Sequence, residues 1–257
     1  MSERDPFKLR LRRRDVMFGC FVGQPSPAIA EMVGYAGFDY VIVDLEHGPT
    51  GLETLENMLR AAQAAGAASL VRLPSPAQAD ILRVLDAGAD GILVPHVESA
   101  ADARAVVAHA YYPPAGQRGI STVSRAARHA IVSPQQHLAG ANQRTAVMLM
   151  VESPGAVQEL DAIIALDGID GIFVGPNDLA SALGHVGSRD HPDVQAAIRD
   201  IVRRAQARGC ALATLARSLG DVKDVPGRGF TMVTFNTTFI LAQGLREIIA
   251  AKADRSP

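Results

Sequence analysis

The stretch Tyr40-Val41-Ile42-Val43-Asp44-Leu45-Glu46-His47-Gly48-Pro49 decides how the chain folds. Residues 40–43 are apolar or aromatic without interruption. Two acids and an imidazole then arrive together, and a Gly-Pro turn comes next. An unbroken apolar run suits a parallel strand covered on both faces. In an α/β barrel the chemistry gathers where such strands end. Residues 40–44 therefore read as a buried strand that delivers ionisable groups to an active site.

The same plan repeats outward from it. Strands are predicted at Met17–Val22, Tyr40–Asp44, Ala68–Leu73, Gly91–Pro95, Ala146–Glu152, Gly171–Val174, Cys210–Leu215 and Phe230–Phe235. Helices fall between and after them: Pro25–Ala36 with Ser26 as N-cap, Leu52–Ala65, Pro76–Ala87, Ser99–Ala110, Gly155–Ala165, Asp193–Arg208, Ser218–Val225 and Thr238–Ala251. The rhythm breaks twice. A turn-rich segment runs from Tyr111 to the strand at Ala146, with a basic, helical piece at Ser124–Ala130, and reads as an excursion over the barrel mouth. A second excursion spans Ala180 to Pro192.

Strands alternating with helices make a parallel α/β protein. A closed (β/α)8 TIM barrel is favoured over an open doubly wound sheet, because no Gly-x-Gly-x-x-Gly follows the first strand. The 257 residues suit one such barrel as a single domain. Within residues 1–15 an amphipathic helix is expected to pack Phe7 and Leu11 beneath it, and residues 252–257 read as a frayed tail.

Composition narrows the function. A net charge of −2 supplies no basic field for nucleic acid, and the absence of Trp with only 5% aromatics argues against stacking platforms. Cys20 and Cys210 lie far apart and read as buried free thiols, not metal ligands. No signal-type apolar segment and no apolar run of about 20 residues appears, so neither a membrane nor secretion is expected, and the reading is cytoplasmic.

The strand ends carry the chemistry. In Ala146–Glu152, alternation places Met148, Met150 and Glu152 on one side of the strand, so an axis-facing set would put Glu152 at the mouth. Asp178 lies just past the next strand. Two carboxylates on neighbouring strand ends suit Mg²⁺ or Mn²⁺, which keep open positions for substrate oxygens; the structural alternatives are a surface pair for Glu152 and an N-cap for Asp178. Arg72, after three apolar residues, needs an anion: a carboxylate substrate or its enolate, or else an ion pair with Asp44 or Glu46. His47 at the end of the second strand is the candidate for proton transfer, with His96 a weaker one. No Lys ends a predicted strand, so a Schiff-base route lacks its nucleophile. The assembled reading is a carbon–carbon lyase. A divalent ion on Glu152 and Asp178 chelates a 2-oxo acid and stabilises its enolate, helped by Arg72, while His47 moves the proton.

Several segments in the same order resemble the class II, metal-dependent pyruvate aldolases of the hydroxy-oxo-heptanedioate and dehydro-deoxy-glucarate aldolase group. The carriers are residues 36–49 (AGFDYVIVDLEHGP), 71–74 (VRLP), 85–95 (LDAGADGILVP), 112–119 (YPPAGQRG), 151–153 (VES), 175–180 (GPNDLA) and 182–185 (ALGH). The resemblance implies a pyruvate-type barrel whose last helix is exchanged between subunits, in dimers that group into a homohexamer. It implies retro-aldol cleavage of a 4-hydroxy-2-oxo acid to pyruvate and an aldehyde, with Mg²⁺, Mn²⁺ or Co²⁺ as cofactor. It makes Glu152 and Asp178 the metal ligands, His47 the general base, and Arg72 the enolate stabiliser. Asp86 becomes the carboxylate that raises the basicity of His47, acting from a neighbouring subunit. Substrate contacts fall to Arg72, Asp178, Asn177, Met150 and Leu215. The family often has Gln where this chain has Met150, which removes a hydrogen-bond donor, and Asn177 stands where a relative has Ala. The alternatives are a citrate-lyase-like acyl-CoA ester lyase, a 2-oxo acid (oxaloacetate) decarboxylase, and a non-catalytic oligomeric barrel.

Overall fold

The strands track the apolar runs. In the computed structural model, which describes residues 5–253, they are β1 (Met17–Val22), β2 (Tyr40–Asp44), β3 (Ala68–Arg72), β4 (Gly91–Val94), β5 (Ala146–Val151), β6 (Gly171–Val174), β7 (Ala211–Leu215) and β8 (Met232–Asn236). All neighbours pair in parallel, and β8 returns to β1, closing the barrel in sequence order. The helices are α1 (Phe7–Arg13), α2 (Pro27–Tyr35), α3 (Leu52–Ala64), α4 (Gln78–Asp86), α5 (Ala100–Ala110) and α6 (Pro134–Arg144). After β5 come α7 (Pro154–Gln158), α8 (Leu160–Ile164), α9 (Pro176–Ala182), α10 (Pro192–Ala207), α11 (Asp221–Gly227) and α12 (Thr237–Ala253). Ser26 caps α2 as expected, its side chain accepting from the Ile29 N–H.

Alternation along each strand sorts its side chains between two cores. Val41 and Val43 pack outward with Leu55, Met58 and Leu59 of α3. Tyr40, Ile42, Leu70, Met148, Met150 and Phe173 pack inward around the axis. Tyr40 is wholly buried and its hydroxyl pairs with Thr234 Oγ1 at 2.7 Å. The next inward position on β2, β3 and β5 is Asp44, Arg72 and Glu152, so the period that fills the barrel also aims ionisable groups at its mouth.

The N-terminal helix closes the other end. Phe7 and Leu11 join the axial core, and the Phe7 and Tyr40 rings lie 5.8 Å apart. Lys8 is buried with its Nζ 3.1 Å from Asp170 Oδ2, donating also to the Tyr111 hydroxyl (2.7 Å) and the Thr145 carbonyl (2.8 Å). Cys20 is buried, Cys210 is half-buried, and neither is in a disulfide. Burial pushes both thiols up to about 12, which keeps them unreactive near neutrality.

Several expectations need correction. Residues 111–145 do not cover the mouth. They join the C-terminal end of α5 to the start of β5, and both lie at the N-terminal face of the barrel. There Asn142 bonds Tyr112, and Arg125 donates to the Ala87 and Gly88 carbonyls. Ser124–Ala130 is not a helix beyond a single 3₁₀ turn at Arg128–Ala130. The helix lies later, in α6, started by a capping box in which Ser133 and Gln136 bond each other's backbone N–H. The helix expected over Gly155–Ala165 is two short ones, α7 and α8, and the excursion from Ala180 begins inside α9. The tail expected at 252–257 lies outside the described residues from 254 on; 252 and 253 end α12.

Candidate active site

The mouth is built from consecutive strand ends. Asp44 and Arg72 are register partners on β2 and β3. Arg72 donates from Nε to Asp44 Oδ1 (2.9 Å) and from Nη2 to Asp44 Oδ2 (2.7 Å), a bidentate fork. Its Nη1 stands 3.1 Å from Glu46 Oε2, and its guanidinium carbon lies 4.9 Å above the Phe21 ring. The structural partner expected for Arg72 is therefore present, and it fixes the guanidinium at the cavity wall. Burial works against both charges, but the mutual hydrogen bonds and charge outweigh it: Asp44 is held below the usual carboxylate range and Arg72 is pushed up. The N–H groups of Glu46 and His47 also donate to Asp44 Oδ1, at 3.1 and 3.3 Å, and wrap the Leu45–Gly48 turn around that carboxylate. Gly48 is required here, since a Cβ would collide with the Asp44 carbonyl oxygen.

A cavity of about 450 Å³ opens above these groups. Arg72, His47, Met150, Asn177, Asp178 and Leu215 all line it. Glu152 stands beside it, 9% exposed, with its Oε1 accepting from the backbone N–H of His96 at 3.1 Å. A Cβ on Gly175 would sit 3.1 Å from Glu152 Oε2, so glycine there keeps room for the carboxylate. Burial pushes the Glu152 pKa up, and the charges of Asp178 and Glu46 add to the rise. Glu152 and Asp178 thus share one electrostatic field, and a divalent cation would relieve both the burial and the repulsion. The donors are all hard oxygens, a set that fits Mg²⁺ or Mn²⁺.

His47 is exposed, with 68% of its side chain accessible, and Nε2 lies 4.0 Å from Glu46 Oε2. His96 is more closely engaged than the sequence suggests. Its Nε2 is 2.9 Å from Glu46 Oε1, its Nδ1 is 3.8 Å from Glu152 Oε1, and its backbone adopts φ 58°. Its position after β4 is the one available signal. Gln24, Asn236 and Thr238, from the ends of β1 and β8, also line the cavity and carry no motif. Asp86 is not brought to His47 within the chain. It ends α4, at the opposite face, where it pairs with Arg118 Nη2 at 2.6 Å.

An eight-stranded parallel barrel with acids, an arginine and imidazoles converging at its C-terminal mouth defines an α/β-barrel enzyme. Residues 17–241 match the family model of HpcH/HpaI aldolase/citrate lyase. The 5-keto-4-deoxy-D-glucarate aldolase of Escherichia coli is 39% identical over 227 residues, which cover 88% of each chain. A solved HpcH/HpaI aldolase/citrate lyase family protein from Burkholderia cenocepacia superposes with TM-score 0.91 at 32% identity, covering 97% of this chain and 98% of that one. An HpcH/HpaI aldolase from Desulfitobacterium hafniense gives TM-score 0.90 at 28% identity, covering 99% and 98%. The chain belongs to the HpcH/HpaI aldolase/citrate lyase family, a metal-dependent family of carbon–carbon lyases.

Proposed function

We propose that this chain cleaves a 4-hydroxy-2-oxo acid to pyruvate and an aldehyde, and runs the reverse addition, with Mg²⁺, Mn²⁺ or Co²⁺ held by Glu152 and Asp178. The observation that carries the reading is the gathering of Arg72, His47 and Asp178 around one cavity, with Glu152 beside it and within the electrostatic reach of Asp178. The bound cation would supply Lewis-acid stabilisation of charge on the 2-oxo acid's oxygens.

His47, directly or through one water, takes the proton of the 4-hydroxyl. The C3–C4 bond breaks, C4 leaves as the aldehyde carbon, and the bonding pair passes to the pyruvate enolate. Arg72, already immobilised by Asp44, presents fixed positive charge to the enolate oxygen without reorganising. The enolate then takes at C3, directly or through the same water, the proton that His47 holds, which returns the imidazole to its neutral form. Asn177, next to Asp178 at the N-terminus of α9, offers a backbone N–H to the substrate carboxylate. Leu215 and Met150 give an apolar wall, and Met150 leaves the substrate without the amide contact that a glutamine would make. The name of the Escherichia coli relative makes an oxo-sugar diacid the first substrate to try. His47→Ala is expected to lower kcat for cleavage roughly 10²- to 10⁴-fold with metal affinity unchanged. Steady-state kinetics on a panel of 4-hydroxy-2-oxo acids checks this, and a variant indistinguishable from the parent removes His47 from the mechanism.

The same reading includes an oligomer. Phe239, Ile240, Leu241, Leu245, Ile248 and Ile249 of α12 are each at least 51% exposed. α12 makes its main contacts with β1 and β8 only. Beside it a cleft of about 590 Å³ is lined by Phe18, Phe38, Leu219 and Val222. An apolar helix next to an open apolar cleft is the arrangement left when each subunit lends its last helix to another, in a homohexamer of dimers where Asp86 could meet a neighbour's His47. Leu245→Glu with Ile248→Glu is expected to lower the particle mass below six chains by light scattering; an unchanged mass refutes the exchange. Among the described residues no helix is long and apolar enough to cross a membrane. The unpaired cysteines fit the cytoplasm.

A further inference from the structure

A cluster of arginines lies at the other end of the barrel. A cavity of about 870 Å³ opens between the 118–137 segment, the end of α6 and the α4–β4 turn, and four arginines and two histidines line it. Its size falls in the usual range for small-molecule sites, about 300–1,000 Å³. Gly88, Asp90 and Thr145 in its wall border the starts of β4 and β5, so it faces away from the mouth that holds His47.

The arginines are poorly matched by acids. Arg118 donates from Nη2 to Asp86 and stacks on Tyr112 at 4.6 Å, yet its Nε has no partner although the side chain is only 3% exposed. Arg125 gives its donors to neutral oxygens: Ala87 O at 2.9 Å, Gly88 O at 3.3 Å and Gln63 Oε1 at 2.7 Å. Arg128 and Arg144 make no ion pair with any described residue. The one carboxylate in the wall among the described residues, Asp90, is engaged by the Ser69 N–H and hydroxyl and by Gln63. Burial, then the charges of Arg118 and Arg144, hold the buried His137 below the usual histidine range. The cavity therefore already carries positive potential. An unused donor on a buried guanidinium is costly until an acceptor meets it. Guanidinium forks suit the planar oxygens of carboxylates and phosphates.

We propose that this cavity binds a small, multiply charged anion bearing carboxylate or phosphate groups, held by Arg118, Arg125, Arg128 and Arg144 at the barrel end opposite this chain's own mouth.

Calorimetric titration of the full chain, treated with EDTA, with citrate and separately with inorganic phosphate tests this. Saturable binding of at least one probe, one per chain, is expected; the tighter of the two identifies the chemical class. Arg128→Gln with Arg144→Gln, both exposed, is expected to weaken that binding at least about tenfold. Gln136→Glu keeps the capping box of α6 and places a carboxylate in the wall, so it should weaken binding too, and it decides the matter should the double variant not fold. No saturable binding of either probe, or affinity unchanged in these variants, overturns the proposal. A changed particle mass of the double variant without anion also overturns it, because the cavity would then be filled by another copy of the chain.

Discussion

Glu152→Gln is expected to abolish tight binding of divalent metal and to lower kcat/KM about a thousandfold, near 4 kcal/mol of transition-state stabilisation. The same variant should be more stable than the parent when both are metal-free. Glu152 is buried, and with Asp178 and Glu46 in range its pKa is raised above the unfolded carboxylate value. A raised carboxylate contributes stability that is fully present below the unfolded value, about 4.3, and lost as pH rises through the folded one. At neutral pH the ionised Glu152 is therefore a liability that the amide does not share. Thermal melts of EDTA-treated protein should show a higher midpoint for the variant at pH 7 and a shrinking gap toward pH 4. A variant that melts below the parent at pH 7 while still binding metal would place the ion elsewhere.

Asp44→Ala should be the most damaging change to the scaffold of the site. It leaves Arg72 with its fork unpaired in a half-buried position and strips two backbone N–H groups of their acceptor. Removing one partner of a buried pair costs about 3–5 kcal/mol. Urea denaturation measures that loss directly. Activity should fall along with it, because Arg72 no longer holds one orientation at the mouth, and Asp44→Asn should recover part of the stability but not the charge. The sign of the pH dependence is opposite to that of Glu152. The Asp44 pKa is lowered, so its contribution is present above the unfolded value, about 3.9, and is lost as pH falls through the folded one. The difference in stability between parent and Asp44→Asn should therefore be full at neutral pH and close only in strong acid.

Short-range periodicity sets the parts of this molecule that can be read from its sequence. The apolar run 40–43 declares a strand covered on both sides, and the same alternation in 146–152 places Met148, Met150 and Glu152 on the axial face. The pairing of Arg72 with Asp44 is legible for the same reason, since a cation at the end of a buried strand needs an acid beside it. The 111–145 segment is not legible in this way, because its composition says loop but not face; the face is set by where α5 stops and β5 starts. α6 escapes the periodic reading because its signal is the Ser133–Gln136 box, while the helix itself has only His137 and Ala141 buried. His96 carries little weight in the sequence because its contact with Glu46 crosses from β2 to β4 and is formed by a left-handed turn, which no local pattern encodes. Asp86 owes its role to resemblance alone; within the chain it neutralises Arg118.

Metal-dependent aldol cleavage at the barrel mouth is read out by the release of pyruvate. EDTA-treated protein, assayed with lactate dehydrogenase and NADH on 5-keto-4-deoxy-D-glucarate and related 4-hydroxy-2-oxo acids, should release no pyruvate. Adding Mg²⁺, Mn²⁺ or Co²⁺ should restore release for the parent chain and not for Glu152→Gln. Pyruvate formed at an undiminished rate by the chelated protein, or restored equally in Glu152→Gln, would contradict the account.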